Sequence, residues 1–403
     1  MTESTRLAAA AVLVVLSGSP APAGSHLDRG AQNTGFTPAV PGQTRAPESR
    51  SGVGIAATAI GGPLENPWAV AILPTGDFLV TERPGRMRVV SADGRLGDPI
   101  EGVPAVLAEG QGGLLDVTLG PDFASDRMVY FSYSKPVGDG LSATAAARGR
   151  LSDDMRRLEG VADIFVQEPP SASTLQYGSR IVFTPDGRLF VTVGERFTEQ
   201  ERGFAQDLTN TYGKVLRLNP DGTAPGDNPF AGRGDADPRI WSYGHRNIQG
   251  AAIEPATGRL WTLEHGPRGG DELNRPEAGR NYGWPVISYG ENYDGTPVGS
   301  GRSAQDGMEQ PVYYWDPVIA PSGMVFYEGA MFPEWRGDIL AGSLTPGALV
   351  RIDMENGKVA GEEEFLAGTG LRVRDVAVDP ADGSVVIVAD EADSPITRIT
   401  RQD

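Results

Sequence analysis

Apolar residues alternate with polar ones in short runs along this chain, and each run is broken by a Pro, Gly or Asp turn before a second run begins. The clearest copy is Ile181-Val-Phe-Thr-Pro-Asp-Gly-Arg-Leu-Phe-Val-Thr192. Others surround Pro74, Pro121, Pro255 and Pro380, and a degenerate copy runs from Gly323 to Leu340 around Phe332. Period-two alternation on both sides of a tight turn predicts strand, turn, strand. Six copies share roughly 350 residues, about 58 each, which suits a four-stranded blade with generous loops. The pattern predicts an all-β, six-bladed β-propeller, with a pair of β-sandwiches as the alternative. Helical periodicity is nearly absent, which excludes α/β barrels and Rossmann folds. A propeller would gather one loop from every blade around one end of a central channel.

The first residues carry a different pattern. Arg6 precedes the apolar run Leu7–Leu16, and Ala21-Pro22-Ala23 supplies a cleavage signal, so residues 1–23 read as a secretory signal peptide. That predicts an exported protein, periplasmic or secreted, with no membrane span. Residues 24–52 are rich in Gly, Pro, Ser, Thr and Arg and poor in large apolar side chains, which predicts a disordered linker. The propeller is expected from 53 to 403. There are no cysteines, which rules out disulfides, thiolate metal sites and a Cys nucleophile. A net charge of -18 argues against nucleic acid as a partner.

Within this acidic chain, three phrases set arginines beside glycine, proline or acidic residues at corresponding ends of the repeats. These are Gly244-His-Arg-Asn247, Gly266-Pro-Arg-Gly-Gly-Asp-Glu272 and Arg372-Val-Arg-Asp375. With Gly110-Gln-Gly-Gly-Leu-Leu115, Tyr177-Gly-Ser-Arg-Ile181, Gly194-Glu-Arg196, Asn281-Tyr-Gly-Trp-Pro285 and Ala320-Pro-Ser322, they make eight phrases in sequence order. From about Ile60 to Thr400 the chain resembles the soluble quinoprotein glucose/sorbosone dehydrogenases, especially the aldose sugar dehydrogenase branch.

The resemblance implies a six-bladed propeller that uses pyrroloquinoline quinone (PQQ) to oxidise a sugar at its anomeric carbon to a lactone. PQQ is a tricarboxylate, and burying it calls for compensating cations. By resemblance, Arg372 and Arg374 hold its carboxylates, in planar forks suited to them, and Arg246 and Asn247 lie against the reactive carbonyl. Gln111 and Trp315 complete the cofactor site, and Gln200 and Tyr313 meet the sugar. The carbonyls of Gly266 and Pro267 are implied to bind a Ca²⁺, a cation that favours hard oxygen ligands. The electron acceptor is unknown.

Two positions depart from the family pattern. Where the family places a histidine that removes the anomeric hydroxyl proton, this chain has Gln176, and an amide accepts no proton. His245 and His265 flank the same loops and are the available substitutes, though both match positions of the aldose branch. Thr345 stands where glucose-specific relatives carry a lysine. These departures leave two further readings beside the dehydrogenase: a silent propeller that binds PQQ, a sugar or a glycan, and a metal-dependent hydrolase of the lactonase type.

Overall fold

The computed structural model describes residues 26–402; the expected signal peptide lies outside them. Six four-stranded antiparallel sheets follow one another along the chain as the blades of a propeller. Their innermost strands are Pro67–Ile72, Leu114–Leu119, Gly178–Phe183, Ile248–Ile253, Pro321–Phe326 and Val373–Val378. Each turn anchored at Pro74, Pro121, Pro185, Pro255, Phe332 or Pro380 joins an innermost strand to the second strand of the same blade. The repeated phrase is therefore the inner hairpin of every blade. Because the sheets are antiparallel, these turns crowd one face of the disc. The loops linking second to third strands, and one blade to the next, crowd the other.

The ring closes by strand exchange. Ile55–Leu64, from the start of the propeller, pairs with Ser394–Arg401 at its end and forms the outermost strand of blade 6. Between blades lie apolar seams, such as Trp68, Leu79 and Phe131 between blades 1 and 2, or Val70, Val388 and Ile396 between blades 6 and 1. Such burial is worth about 25 cal/mol per Å² of apolar surface, so closure stabilises every seam on both sides of a blade.

The segment 26–52 differs from expectation. Instead of a disordered linker it is a strap across the outer edges of blades 4 and 5. Arg29 donates to Glu362 Oε2 (3.0 Å) and to Glu364 Oε1 (2.8 Å). Thr34 Oγ1 donates to Asp316 (2.7 Å), and Gln43 Nε2 to the Pro311 carbonyl (2.8 Å). Local composition misses this because the order comes from polar contacts more than 250 residues away in sequence. Glu362 is the hub, 1% exposed, and it also accepts from Tyr313 Oη (2.9 Å) and Trp315 Nε1 (2.5 Å). Glu362→Ala would orphan three buried donors at once, so the variant should lose about 3–5 kcal/mol. Calorimetry should show a clearly lower unfolding temperature, and an unchanged one would contradict the strap's role.

Candidate functional site

The loop entering blade 3 is held in a conformation that side chains rarely adopt. Gln176 and Ser179 have φ of 51° and 103°, with Gly178 at 71° between them. Arg196 ties the loop down: it is fully buried, lies over the Tyr177 ring at 3.9 Å, and donates to the carbonyls of Leu175 and Ser142 (both 3.1 Å). Gln111 Oε1 accepts the Gln176 backbone N–H (2.8 Å), and Asn247 Oδ1 accepts that of Gly178 (3.1 Å). A Cβ at Gly194 would stand 2.0 Å from the Gln176 carbonyl oxygen, so only glycine permits this close approach.

The Gln176 side chain sits between two charges. With its amide oriented to satisfy both neighbours, its nitrogen donates to Glu195 Oε1 (2.5 Å) and its oxygen accepts from Arg246 Nη2 (2.8 Å). Arg246 also donates to the carbonyls of His265 (3.0 Å) and Gly266 (2.7 Å), and its guanidinium lies 5.2 Å from the centre of the Trp284 ring. Glu195 Oε2 accepts the Phe197 N–H (2.7 Å). Burial pushes the Glu195 carboxyl up to about 7, against the pull of Arg246. A cavity of about 400 Å³ opens here, lined by Glu195, Phe197, Arg202, Arg246, Pro267, Trp284 and Tyr293.

The other arginines act with Arg246 on one imidazole through their charge. Desolvation, then Arg246, Arg374 and Arg372 in that order, hold His265 down at about 3, and its Nε2 donates to the Pro321 carbonyl (2.5 Å). Arg374 is buried, with its Nη atoms on Gln249 Oε1 (2.7 Å) and Asp390 Oδ2 (2.5 Å), while Arg372 is exposed and donates to the Leu344 carbonyl (3.1 Å). The Nε atoms of Arg246 and Arg374 are buried without a partner. Three cations share a neighbourhood with spare donors, which suits an anionic planar ligand.

The sequence profile of the glucose/sorbosone dehydrogenase family matches residues 64–398. The chain belongs to that family. It is 41% identical over 339 residues to the aldose sugar dehydrogenase YliI of Escherichia coli, covering 84% of this chain and 90% of that one. The apo structure of the soluble aldose sugar dehydrogenase of E. coli superposes with a TM-score of 0.83 at 40% identity, covering 86% of this chain and all of that one. The PQQ-bound aldose sugar dehydrogenase of Streptomyces coelicolor superposes with a TM-score of 0.71 at 30% identity, covering 86% and 98%.

Against this family background, several expected residues lie elsewhere. Tyr313 and Trp315 belong to the outermost strand of blade 4, far from the channel axis by topology, and both are buried under the strap. Tyr314 stacks on Tyr289 with ring centres 3.8 Å apart. All three side chains are buried. Gln200 is on the helix Glu199–Arg202, capped by Thr198, but it lines a separate cavity with Phe204 and Tyr212. Its helix neighbours Glu199 and Arg202 face the Arg246 cavity instead. His245 is fully buried between Glu264 (3.0 Å) and Ser242 (2.9 Å). Sequence reasoning missed Glu195, Phe197, Trp284 and Tyr293. Glu195 and Trp284 stand inside recognised phrases, whereas Phe197 and Tyr293 carry no pattern and are marked only by exposure, 40% and 65%.

Gly194→Ala should push the Gln176 turn out of place. Overpacking of this kind costs about 1–3 kcal/mol, so thermal unfolding should come earlier and a crystal structure should show Gln176 displaced from Arg246. An unmoved loop with wild-type stability would refute the close-approach argument.

Proposed function

We propose that this chain is a PQQ- and Ca²⁺-dependent dehydrogenase that oxidises aldoses at the anomeric carbon to lactones. The observation that carries this reading is the pair of buried guanidinium Nε atoms, of Arg246 and Arg374, left without a partner, with Arg246 bonded to the carbonyls of His265 and Gly266. A buried polar donor without a partner costs about 1–3 kcal/mol, and an anionic ligand would remove that cost. The PQQ-bound Streptomyces relative supports the choice of anion. When bound, PQQ supplies an ortho-quinone that accepts two electrons as hydride.

The chain's own residues then divide the work. Arg372 and Arg374 hold carboxylates, Arg374 being pre-aimed by Gln249 and Asp390. Arg246, with Asn247 beside it and Gln111 bracing the Gln176 turn, would offer its positive charge to the carbonyl end of a bound quinone. The carbonyls of Gly266 and Pro267 would take Ca²⁺, a Lewis acid at the same place. The Gly266 carbonyl accepts one N–H of Arg246 and keeps its second lone pair for the cation. Phe197 and Tyr293, with ring centres 6.2 Å apart at the cavity mouth, offer apolar faces to sugar CH groups. The apolar leader supports export to the periplasm or medium, and among the described residues no helix is long and apolar enough to cross a membrane.

One observation favours the silent-propeller reading: Gln176, at the place of the family's histidine, is an amide already engaged on both sides. The lactonase-type reading has less support, since among the described residues no three His, Asp or Glu side chains gather as a metal-ligand set.

A spectroscopic titration with PQQ in the presence of Ca²⁺, followed by an aldose, tests the reading. The protein should bind PQQ, and the sugar should bleach the oxidised cofactor's absorbance. Losing one charge-assisted contact is worth about 1.5–3 kcal/mol, so Arg372→Ala should weaken PQQ binding by roughly 10- to 100-fold. Chelating Ca²⁺ should weaken it further. Absence of PQQ binding would overturn the cofactor assignment, and binding without reduction by any aldose would favour the silent propeller.

A further inference from the structure

We propose that Glu195 is the general base of this chain's sugar oxidation, accepting the anomeric hydroxyl proton directly, with Gln176 as the positioning residue that aims its carboxylate. The assignment rests on the dehydrogenase reading above and names who removes the proton once the usual imidazole is gone.

Three carboxylates line the cavity, Glu195, Glu199 and Asp294, and Glu195 is the buried one, bonded to Gln176. Glu195 lines the cavity that Arg246 also lines, so a sugar held against Arg246 meets Glu195 on the same wall. Oε1 is engaged by the Gln176 amide and Oε2 by the Phe197 N–H. A carboxylate offers about four lone-pair sites, so each oxygen keeps one for the incoming hydroxyl. The two histidines are closed to this role. His245 is sealed between Glu264 and Ser242, and His265 spends its Nε2 proton on a carbonyl while three arginines oppose its protonation.

The charges around Glu195 are Arg246 from the loop entering blade 4, Arg196 next to it in the chain, Glu201 and Arg202 from the short helix, and Glu199 and Asp294 on the cavity wall; Arg246 and Arg202 favour the carboxylate while burial and Glu201 oppose it. The balance leaves it near 7, where a base is both available and strong enough. In the step, the O1–H proton passes to the Glu195 carboxylate and the O–H electron pair becomes the C1=O π bond. C1–H leaves with its electron pair to the quinone. The aldose loses two electrons to become lactone, the quinone gains them, and Glu195 returns the proton to water through the cavity.

The test compares the Ca²⁺-loaded full chain with E195Q and E195D, each first titrated with PQQ so that a cofactor-binding defect is seen separately. General-base catalysis contributes about 10²–10⁴ in rate, so E195Q should bind PQQ as wild type does yet lose that factor in kcat with little change in KM. E195D should retain a measurable part. The wild-type rate should rise with pH through about 7 as the base ionises, and E195Q should lose that limb. In the cofactor-free protein, infrared difference titration should show that E195Q loses one of the buried carboxyls that ionise near 7, leaving that of Asp271. Wild-type turnover with an equally active E195Q would overturn the base assignment alone, as would a Glu195 carboxyl ionising at an ordinary 4.3 or so. A wild type that binds PQQ and oxidises no aldose would instead overturn the dehydrogenase reading, and this assignment with it.

Discussion

One guanidinium ties the whole ring together. Arg180, on the innermost strand of blade 3, donates to Asp116 of blade 2 (2.8 Å), pairs with Asp375 of blade 6 (2.9 Å), and donates through Nε to the Gln249 carbonyl of blade 4 (2.7 Å). Its flat face lies 4.4 Å from the centre of Trp68 in blade 1. Asp375 in turn accepts the Val70 N–H of blade 1 (3.0 Å). Blade 5 takes part by being small: a Cβ at Gly323 would stand 2.0 Å from Asp375 Oδ1 and 2.8 Å from Arg180 Nη2. All six blades therefore meet at one buried ionic pivot on the axis. Two carboxylates compete for one cation, and burial, opposed by Arg180, pushes Asp375 up to about 6. Removing one partner of such a buried set leaves an uncompensated charge, which is costly whatever the set contributes by itself.

The pivot explains why the site above it can be precise on loops. The strands that carry Arg180, Asp116 and Gln249 run directly into the loops that carry Gln176, Gln111 and Arg246, and Arg374 stands on the strand of Asp375 itself. Fixing the inner strands fixes the starting points of those loops, and Arg196 then locks the turn at Gln176 from behind. In a protein of net charge -18, the cavity pairs Arg202 and Arg246 with Glu195, Glu199 and Asp294, so opposite charges share its wall.

Much of this is legible in the residues, and the failures have physical causes. The inner hairpins are readable because alternation and a Pro/Gly turn are local signals, and each blade's first turn stands where its proline is. The strap is not, because Arg29 and Gln43 find their partners on blades 4 and 5, whose place in the ring composition does not encode. Arg246 and His265 are legible from their phrases, and the structure brings them together. Tyr313 and Trp315 mislead because their order in the chain suits the family pattern, while their strand is the outermost of its blade. Gln200 misleads by counting: one position along a short helix turns a side chain to the neighbouring cavity. Glu195 stays hidden because an acid between Gly and Arg reads as surface until burial and its contact with Gln176 are seen.

The account stands or falls on which group meets the sugar's anomeric hydroxyl. A crystal structure with Ca²⁺, reduced PQQ and a bound aldose measures this directly. The account predicts the sugar between Phe197 and Arg246, with O1 within hydrogen-bond distance of a Glu195 oxygen, about 2.6–3.2 Å. A sugar whose O1 faces another titratable group, with Glu195 out of reach, would contradict it.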